Sequence, residues 1–578
     1  MKSIALTLLV FCACAHAQLV LPTSIPRTGK PPVVFLNGYE NDCGGASFGG
    51  NFGIADQVLQ ADGRATLFFN NCDLPNRPSI EALGARFGEF LNGLRYADGA
   101  AVDSVDVVAY SMGGLIVRSY LSGKQEATRS FRPPATVPVR KLIFIATPQF
   151  GTGLAFGFGL NRQVEEITSG SQFLFDLATW NQDTEDFRGI DSMAIIGNGG
   201  TGIATTAGFD DGVAATSSAS ISFVQPGKTR IIPNCHTDGG GLISAVGLCP
   251  ANARGVAPIR AATDPQARMI RAFLNGTDEW KSVGTAAEDD RILSRNGGVI
   301  VGARTPADAD SNVIRASADS ATLTPSTQSR NVAYNDMVAA GTRTAEVTTA
   351  AGVAARAVDV APAVYKAAVI KTGPRVVRVY PAAAPVYPLA VAAGSIISIY
   401  GDDLGGASAT VNSAPVEVFY SSPSQINAVL PEGLTGLVKL SVQSAAGSHT
   451  INVLIERAVP AVFTQNAAGS GQASALNARD YRLADSSNPL RAGDYLVLYV
   501  TGLGSTETRG GLQWAVAAPT VTISGRDCAL SFAGRAPGFK GLDQINCVVP
   551  AGLGRNGAAE VVVRSGVRSS NVATVAVE

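Results

Sequence analysis

The sequence predicts a mostly parallel α/β sheet with helices on both faces, followed by all-β sandwich domains. Residues from about 30 to 280 alternate short apolar strands with helical stretches, which indicates a parallel sheet covered on both sides. Roughly the last 200 residues contain an internal repeat of β character. Because a chain of 578 residues exceeds one hydrophobic core, several domains are expected.

Hydrophobic patterning defines the elements of the first domain, which we assign to residues 18–282. Short apolar runs predict strands at 33–36, 65–69, 105–109, 142–146, 193–196 and 229–232. Apolar residues at helical spacing, or a run that follows a strand and turn, predict helices at 79–96, 112–121 and 264–274.

The remaining chain divides into three parts. Residues 283–374 are rich in small residues, and both a small β-sandwich and an extended linker remain open. Residues 375–470 and 471–578 each carry an Ala-Gly start, a Leu-Gly pair and a Gln-Ile-Asn triplet followed by proline. Two copies of one β-sandwich are therefore expected.

Composition argues against nucleic-acid binding. The net charge is −1 and charged residues make up only 16% of the chain, whereas nucleic-acid binders usually carry a basic excess. No segment after the first residues is long and apolar enough to suggest a membrane helix.

The first 17 residues have the pattern of an export signal. Lys2 supplies a positive charge, residues 4–15 are apolar, and Ala15 and Ala17 flank His16 as in a cleavage site. We expect Gln18 to begin a secreted protein, extracellular or periplasmic.

Six cysteines lie outside this segment, and an even number in an exported chain favours disulfides. Their clustering makes three local pairs the simplest arrangement: Cys43–Cys72, Cys235–Cys249 and Cys528–Cys547. No cysteine and histidine grouping has zinc spacing, so no metal site is predicted.

A serine between the third predicted strand and the following helix is the candidate nucleophile. The turn is Ala109-Tyr110-Ser111-Met112-Gly113-Gly114. Small residues on either side of Ser111 permit the tight strand–turn–helix bend that exposes a nucleophile above a sheet.

A serine hydroxyl needs a general base, and few histidines are present. Of the three, His16 belongs to the export segment and His449 lies in the repeats, where a surface strand position is expected. His236 is therefore the predicted base, held in a loop that a Cys235–Cys249 bridge would clamp.

The acid that orients this histidine should lie between Ser111 and His236 in the chain. We predict Asp211, with Asp210 as the main alternative and Asp191 and Asp238 as weaker ones. Two amide N–H groups should stabilise the oxyanion, those of Met112 and Tyr39. A Cys43–Cys72 bridge would brace the Tyr39 loop.

Residues 30–280 resemble a bacterial lipase of the α/β-hydrolase superfamily. The resemblance rests on Leu36-Asn37-Gly38-Tyr39, the Ser111 turn, residues 146–152, residues 171–174, Asp211-Gly212-Val213 and Cys235-His236-Thr237. The family usually has histidine at position 37 and glycine at position 109, where this chain has Asn37 and Ala109. The resemblance implies carboxylic ester hydrolysis through an acyl-enzyme, without a cofactor.

A lipase-like cap over the acyl pocket would begin with residues 154–160 and continue to about Trp180. Phe156 and Phe158 would then contact the acyl chain of a lipid or other ester, although ordinary core packing explains them equally well. An acyltransferase, a hydrolase of polymeric esters and a non-catalytic adhesion protein remain alternatives. The region 375–578 resembles a tandem immunoglobulin-like module of secreted bacterial proteins, which implies no chemistry and leaves open contact with a surface or polymer.

Overall fold

The structure of the chain is a computed structural model. It describes residues 24–40, 50–72, 77–126, 129–153, 161–181, 187–202, 209–239, 245–304, 310–350, 352–370, 374–384, 390–402, 404–444, 447–566 and 568–578. The expected export segment, Cys43, Phe156 and Phe158 lie outside these ranges.

The first domain is built on a seven-stranded sheet with strand order β2-β1-β3-β4-β5-β6-β7. In chain order the strands are β1 (Val33–Leu36), β2 (Thr66–Phe69), β3 (Val105–Tyr110), β4 (Val139–Ile145), β5 (Asp191–Gly197), β6 (Thr229–Ile232) and β7 (Thr285–Ala286). All neighbours pair in parallel except β6 and β7. This confirms the predicted mostly parallel sheet, and β7 extends it past the expected boundary at residue 282.

Helices cover both faces of this sheet, as predicted. They are α1 (Ala55–Ala61), α2 (Ile80–Gly93), α3 (Met112–Ser122), α4 (Arg162–Ile167), α5 (Gln172–Thr179), α6 (Thr216–Ala219) and α7 (Pro265–Asn275). Because strand side chains alternate between faces, Val34 and Leu36 pack against α2 and α3, whereas Val33 and Phe35 pack against α1 and α7. Short 3-10 helices lie at Gly50–Phe52, Asp278–Ser282 and Ala287–Asp289.

The next segment forms a single seven-stranded sheet, called here the middle sheet, with order β13-β12-β9-β10-β11-β8-β14. Its strands are β8 (Asn296–Ala303), β9 (Val313–Ala318), β10 (Ala321–Pro325), β11 (Val332–Ala339), β12 (Gly341–Thr349), β13 (Gly352–Val360) and β14 (Tyr365–Ile370). It encloses its own apolar cluster, which includes Val299, Leu323 and Val347. The segment is therefore folded, and its strands form one continuous hydrogen-bonded sheet around this cluster.

The first sandwich packs a four-stranded sheet, β15-β17-β21-β20, on a five-stranded sheet, β16-β23-β22-β18-β19. Its strands are β15 (Arg375–Pro381), β16 (Ala390–Ala392), β17 (Ile396–Asp402), β18 (Ser408–Val411), β19 (Ala414–Pro415), β20 (Glu417–Ser421), β21 (Gln425–Val429), β22 (Gly436–Ser444) and β23 (Gly447–Glu456).

The second sandwich packs an eight-stranded sheet on a five-stranded sheet around a separate apolar cluster. Its strands are β24 (Ala461–Val462), β25 (Ala475–Asn477), β26 (Arg482–Leu483), β27 (Tyr495–Thr501), β28 (Thr506–Arg509), β29 (Leu512–Ala515), β30 (Thr520–Ile523), β31 (Arg526–Asp527), β32 (Ala529–Arg535), β33 (Asp543–Val548), β34 (Asn556–Ser565), β35 (Arg568–Ser569) and β36 (Ala573–Val577). Because β24 pairs with β27, this sandwich begins before residue 470, earlier than expected.

The two Gln-Ile-Asn triplets occupy equivalent strands. In β21 the Gln425 amide donates to Asn427 at 2.7 Å, and in β33 the Gln544 amide donates to Asn546 at 2.9 Å. Each triplet lies beside the strand that carries its own repeat's first motif, β17 or β27. The repeat in the sequence thus corresponds to one repeated pairing of central strands.

His449 lies on β23 as expected, but the expectation that it is a surface residue is wrong. Its side chain is fully buried, and Nδ1 accepts a 2.7 Å bond from the Val376 amide of β15. The local alternation of the strand could not show that the neighbouring sheet covers this face.

The described residues include no helix whose length and apolar character would allow it to cross a membrane.

Candidate active site

Ser111 is the single residue between the end of β3 and the start of α3, where the chain turns sharply. Its backbone has φ 53° and ψ −130°, a combination that is strained for a residue with a side chain. The Ser111 amide donates to the Ile145 carbonyl of β4 at 2.8 Å, which ties the turn to the sheet. The geometry is that of a nucleophile elbow, in which the strain presents the hydroxyl above the sheet.

Glycines after Ser111 are required by close packing. A Cβ on Gly113 would lie 2.6 Å from the Asn37 carbonyl oxygen, and a Cβ on Gly114 would lie 2.2 Å from Thr147 Oγ1. The first contact brings the loop after β1 against the turn, and the second brings in the loop after β4. The Gly-Gly pair therefore allows three loops to converge on the serine.

Three side chains that are distant in sequence form a continuous chain at this end of the sheet. Ser111 Oγ lies 2.8 Å from His236 Nε2, and His236 Nδ1 lies 2.7 Å from Asp211 Oδ2. His236 is 5% exposed and Asp211 is 1% exposed, so the pair is shielded from bulk water. The three residues that sequence analysis selected thus lie within hydrogen-bonding distance of one another.

The partners of His236 indicate the roles of its two ring nitrogens. An ionised carboxylate can only accept a hydrogen bond, so Nδ1 carries the proton that faces Asp211. Nε2 is then free to accept a hydrogen bond from the Ser111 hydroxyl. This is the arrangement that allows an imidazole to act as a general base and a buried carboxylate to stabilise its charged form.

Asp211 is held in position by its own turn. Its Oδ1 accepts bonds from the Val213 and Ala214 amides at 3.0 and 2.8 Å, which leaves Oδ2 facing His236. Asp210, the main alternative, instead accepts a 2.8 Å bond from the Gly212 amide. The structure therefore brings Asp211, and not Asp210, to the imidazole.

The two weaker alternatives have other partners. Asp191 pairs with Lys228 and Lys141. Asp238 accepts from the Gly255 amide and pairs with Arg260.

Several contacts fix the loop that carries His236. Cys235 is disulfide-bonded to Cys249, with a Cα–Cα distance of 6.4 Å. The His236 amide donates to the Asp211 carbonyl at 2.6 Å, and the Tyr110 hydroxyl donates to the His236 carbonyl at 2.8 Å. The disulfide was predicted, whereas Tyr110 was not. Burial, together with the nearby charge of Asp211, raises the pKa of Tyr110 well above its ordinary value, so its hydroxyl stays a donor.

The loop after β1 lies directly against the serine. A Cβ on Gly38 would be 2.7 Å from Ser111 Cβ and 3.2 Å from Ser111 Oγ. The ring of Tyr39 is anchored through its hydroxyl, which accepts bonds from Arg77 at 3.0 Å and from Asn161 at 2.9 Å. The two residues proposed as amide donors thus flank Ser111: Tyr39 on this loop, and Met112 at the first position of α3.

Polar side chains that were not predicted from the sequence form hydrogen bonds that hold this loop in place. Asn71, 5% exposed, donates through Nδ2 to the Gly38 carbonyl at 2.6 Å. Asn37 donates to Glu40, and Asn51 donates to Asn37 at 2.9 Å. Burial raises the pKa of Glu40, against the opposing effect of the bond from Asn37. No local motif marks these residues, because their partners come from separate loops.

The remaining predicted residues divide between described and undescribed parts. Cys528 and Cys547 are disulfide-bonded in the second sandwich, as predicted. Cys72 is disulfide-bonded, but its predicted partner Cys43 lies outside the described residues. Phe156 and Phe158 also lie outside them, so their contact with an acyl chain stays a prediction.

The chain is similar to solved structures at low identity. It is 13% identical to phospholipase PlaB from Legionella pneumophila, with a TM-score of 0.40, over 60% of this chain and 94% of that one. It is 18% identical to mature lipase BlEst2 from Bacillus licheniformis, with a TM-score of 0.27, over 36% of this chain and 85% of that one. A search of curated proteins gave no match.

One segment matches a family model. Residues 374–455 match the IPT/TIG domain. This range covers almost the whole first sandwich, in which the sequence predicts the first immunoglobulin-like repeat.

Proposed function

We propose that the protein is a serine hydrolase that cleaves carboxylic esters, of the lipase or carboxylesterase type. The observation that carries the proposal is the hydrogen-bonded series Ser111, His236 and Asp211 at the end of the parallel sheet. A hydroxyl in a strained turn, a buried imidazole and a carboxylate behind it form a proton relay for acyl transfer.

The reaction would proceed through an acyl-enzyme. Ser111 Oγ attacks the ester carbonyl carbon as its proton moves to His236 Nε2, and Asp211 stabilises the resulting imidazolium. The negative charge on the former carbonyl oxygen is stabilised by the Met112 and Tyr39 amides. The alcohol leaves with the proton from His236, and a water then attacks the acyl group by the same relay.

The test is turnover of p-nitrophenyl butyrate and p-nitrophenyl palmitate by the full chain. We expect Ser111→Ala to lower turnover by at least about 1,000-fold, because residual catalysis after loss of a nucleophile comes only from binding and the oxyanion site. Ser282→Ala is the matched control, since Ser282 is exposed and its hydroxyl donates to the nearby Glu279 carbonyl. Faster turnover of palmitate would assign the lipase type, and faster turnover of butyrate the carboxylesterase type.

Equal activity of the wild type and Ser111→Ala would reject the proposal, and so would a wild type that hydrolyses neither ester.

We also infer that the protein acts outside the cytosol. The described residues contain the disulfides Cys235–Cys249 and Cys528–Cys547, and disulfides are typical of proteins in oxidising compartments. Expression with residues 1–17 followed by N-terminal sequencing of the exported protein should give Gln18 as the first residue. Retention of the intact chain in the cytosol would contradict this inference.

A further inference from the structure

We propose that Asn71 is a positioning residue for the oxyanion site, acting through the peptide unit between Gly38 and Tyr39. This inference rests on the proposed ester hydrolysis and extends it to a side chain that the catalytic motifs do not include. The observation behind it is the 2.6 Å bond from Asn71 Nδ2 to the Gly38 carbonyl oxygen.

The sheet order places Asn71 and Ser111 on opposite sides of the oxyanion loop. Strand β1 lies between β2 and β3, and all three run in parallel. Their carboxyl ends therefore lie side by side, so the loop after β1 runs between Asn71, which follows β2, and Ser111, which follows β3. Gly38 contacts both neighbours. Its carbonyl oxygen accepts the bond from Asn71, and its Cα, at the position where a Cβ would be attached, faces Ser111.

Peptide geometry then fixes the direction of the Tyr39 amide. The Gly38 carbonyl and the Tyr39 N–H belong to one planar trans peptide unit, so the two bonds point in opposite directions. A bond that holds the carbonyl toward Asn71 consequently turns the Tyr39 N–H away from Asn71 and toward the side where Ser111 lies. Asn71 thus sets the orientation of a proposed oxyanion donor without touching the substrate.

The burial of Asn71 supports a specific role for its amide. The residue is 5% exposed, and no donor among the described residues reaches its buried Oδ1. A buried acceptor without a partner costs stability, and an apolar side chain of similar volume would avoid that cost. The Nδ2 bond to Gly38 is the contribution that an apolar residue could not make.

The test compares Asn71→Ala and Asn71→Asp with the wild type. Neither variant donates a neutral amide bond to Gly38, and aspartate keeps nearly the same volume. We expect kcat for p-nitrophenyl butyrate to fall about 10- to 100-fold with KM changed less than about threefold, because a misdirected donor weakens only transition-state binding. Asn92→Ala is the matched control, since Asn92 is exposed near the end of α2, and it should retain wild-type kcat.

A second readout separates positioning from general damage to the fold. Butylboronic acid forms a bond between Ser111 Oγ and boron, and the tetrahedral adduct places an oxygen where the oxyanion would form. We expect its inhibition constant to rise by about the same factor as kcat falls, since both depend on the same donors. A merely structural role would lower the unfolding temperature and leave boronate binding by the folded fraction unchanged.

The outcomes distinguish this inference from the proposed function. Absence of Ser111-dependent turnover in the wild type rejects the proposed function itself. An active wild type with Asn71 variants that retain kcat, or that lose kcat without loss of boronate affinity, rejects the role of Asn71. If Asn71→Ala does not fold, Asn71→Asp is judged by the same two measurements.

Discussion

At the scale of single residues, the candidate site depends on side chains that are absent as much as on those that are present. Gly38 has no side chain at the point where the loop after β1 meets Ser111, and Gly113 has none where that loop meets the turn. Ser111 itself is held at a strained φ of 53° by surrounding hydrogen bonds. Small changes of volume here should therefore affect chemistry more than stability.

Gly38→Ala tests this directly. The added methyl would lie 2.7 Å from Ser111 Cβ, a distance at which one of the two loops must move. Displacement by about 1 Å can cost 100-fold in rate, so we expect ester turnover to fall by about that factor. Overpacking should lower the free energy of unfolding by only about 1–3 kcal/mol.

The matched control for this variant is Gly557→Ala, where an added Cβ meets nothing within 4 Å. Steady-state kinetics and denaturant unfolding of both variants provide the comparison. A Gly38→Ala protein with wild-type turnover would contradict the prediction that the close contact between this loop and Ser111 is needed for catalysis.

At the scale of elements, the sequence predicted strands and helices best where patterning is decided locally. The strands at 33–36 and 229–232 were predicted to the residue, because the first is a fully buried apolar run and the second ends in the buried pair Ile231 and Ile232. Strand β7 was missed, since its two residues carry no period and pair only because β6 offers a free edge. Helix α2 ends at Gly93, earlier than predicted, because Leu94 adopts an extended backbone.

The residues of the candidate site also differ in whether the local sequence predicts them. Ser111, Asp211 and His236 could be chosen because strand–turn–helix context, chain order and the scarcity of histidine restrict the options. Asn71 and Tyr110 could not be chosen, since each bonds to the backbone of a residue that is distant in sequence. A backbone carbonyl gives the sequence no signal that a partner is required.

The middle sheet contains a titratable side chain, Asp336, that makes the stability of the protein depend on pH. Asp336 lies on β11, and its carboxylate accepts a 3.1 Å bond from the Tyr365 hydroxyl of β14. Burial raises the pKa of Asp336 to about 6, against the opposing effect of that bond. An unfolded aspartate has a pKa of about 3.9, so between these values the folded protein binds more protons than the unfolded one.

The raised pKa of Asp336 fixes the direction in which the free energy of unfolding changes with pH. The contribution of Asp336 to stability is complete below about pH 4 and is lost as the pH rises through about 6. We expect Asp336→Asn to reduce the loss of unfolding free energy between pH 4.5 and 7.5, measured by urea unfolding of the full chain. The exposed Asp359→Asn is the control, and identical pH dependence in wild type and Asp336→Asn would contradict the prediction.

At the scale of the whole molecule, the domains share buried contacts. Phe150 of the α/β domain stacks on Tyr365 of the middle sheet, with ring centroids 4.0 Å apart. Trp180 packs against Leu454 and Val459 at the first sandwich.

An ionic junction also joins three domains. Glu456 pairs with Arg188 of the α/β domain at 3.1 Å and with Arg568 of the second sandwich at 2.7 Å. Burial acts to raise the pKa of Glu456, yet the bonds from the two guanidiniums lower it below its ordinary value. The carboxylate therefore stays charged at this junction.

These contacts predict different results for two truncations. A chain that ends at residue 282 loses β7 and the buried residues Ala287 and Leu293, and it exposes Phe150, so we expect it not to fold. A chain that ends at residue 370 keeps the middle sheet and every described contact of Ser111, Asp211 and His236. We expect it to hydrolyse p-nitrophenyl butyrate within about threefold of the full chain, because the triad geometry is intact.

The second truncation should unfold at a lower temperature, since it exposes Trp180 and leaves Arg188 without Glu456. Circular dichroism and ester turnover of the two shortened chains are the measurements. An active chain that ends at 282, or a folded but inactive chain that ends at 370, would contradict this account of the domain contacts.

We propose above all that Ser111 is an activated nucleophile. Reaction of the full chain with a fluorophosphonate, followed by peptide mapping, tests it most directly, because only a serine with a working base and oxyanion site reacts rapidly. We predict one modified peptide carrying the label on Ser111, and strong loss of labelling in His236→Ala. Labelling of another residue, or labelling of Ser111 that is unaffected by loss of His236, would contradict the claim.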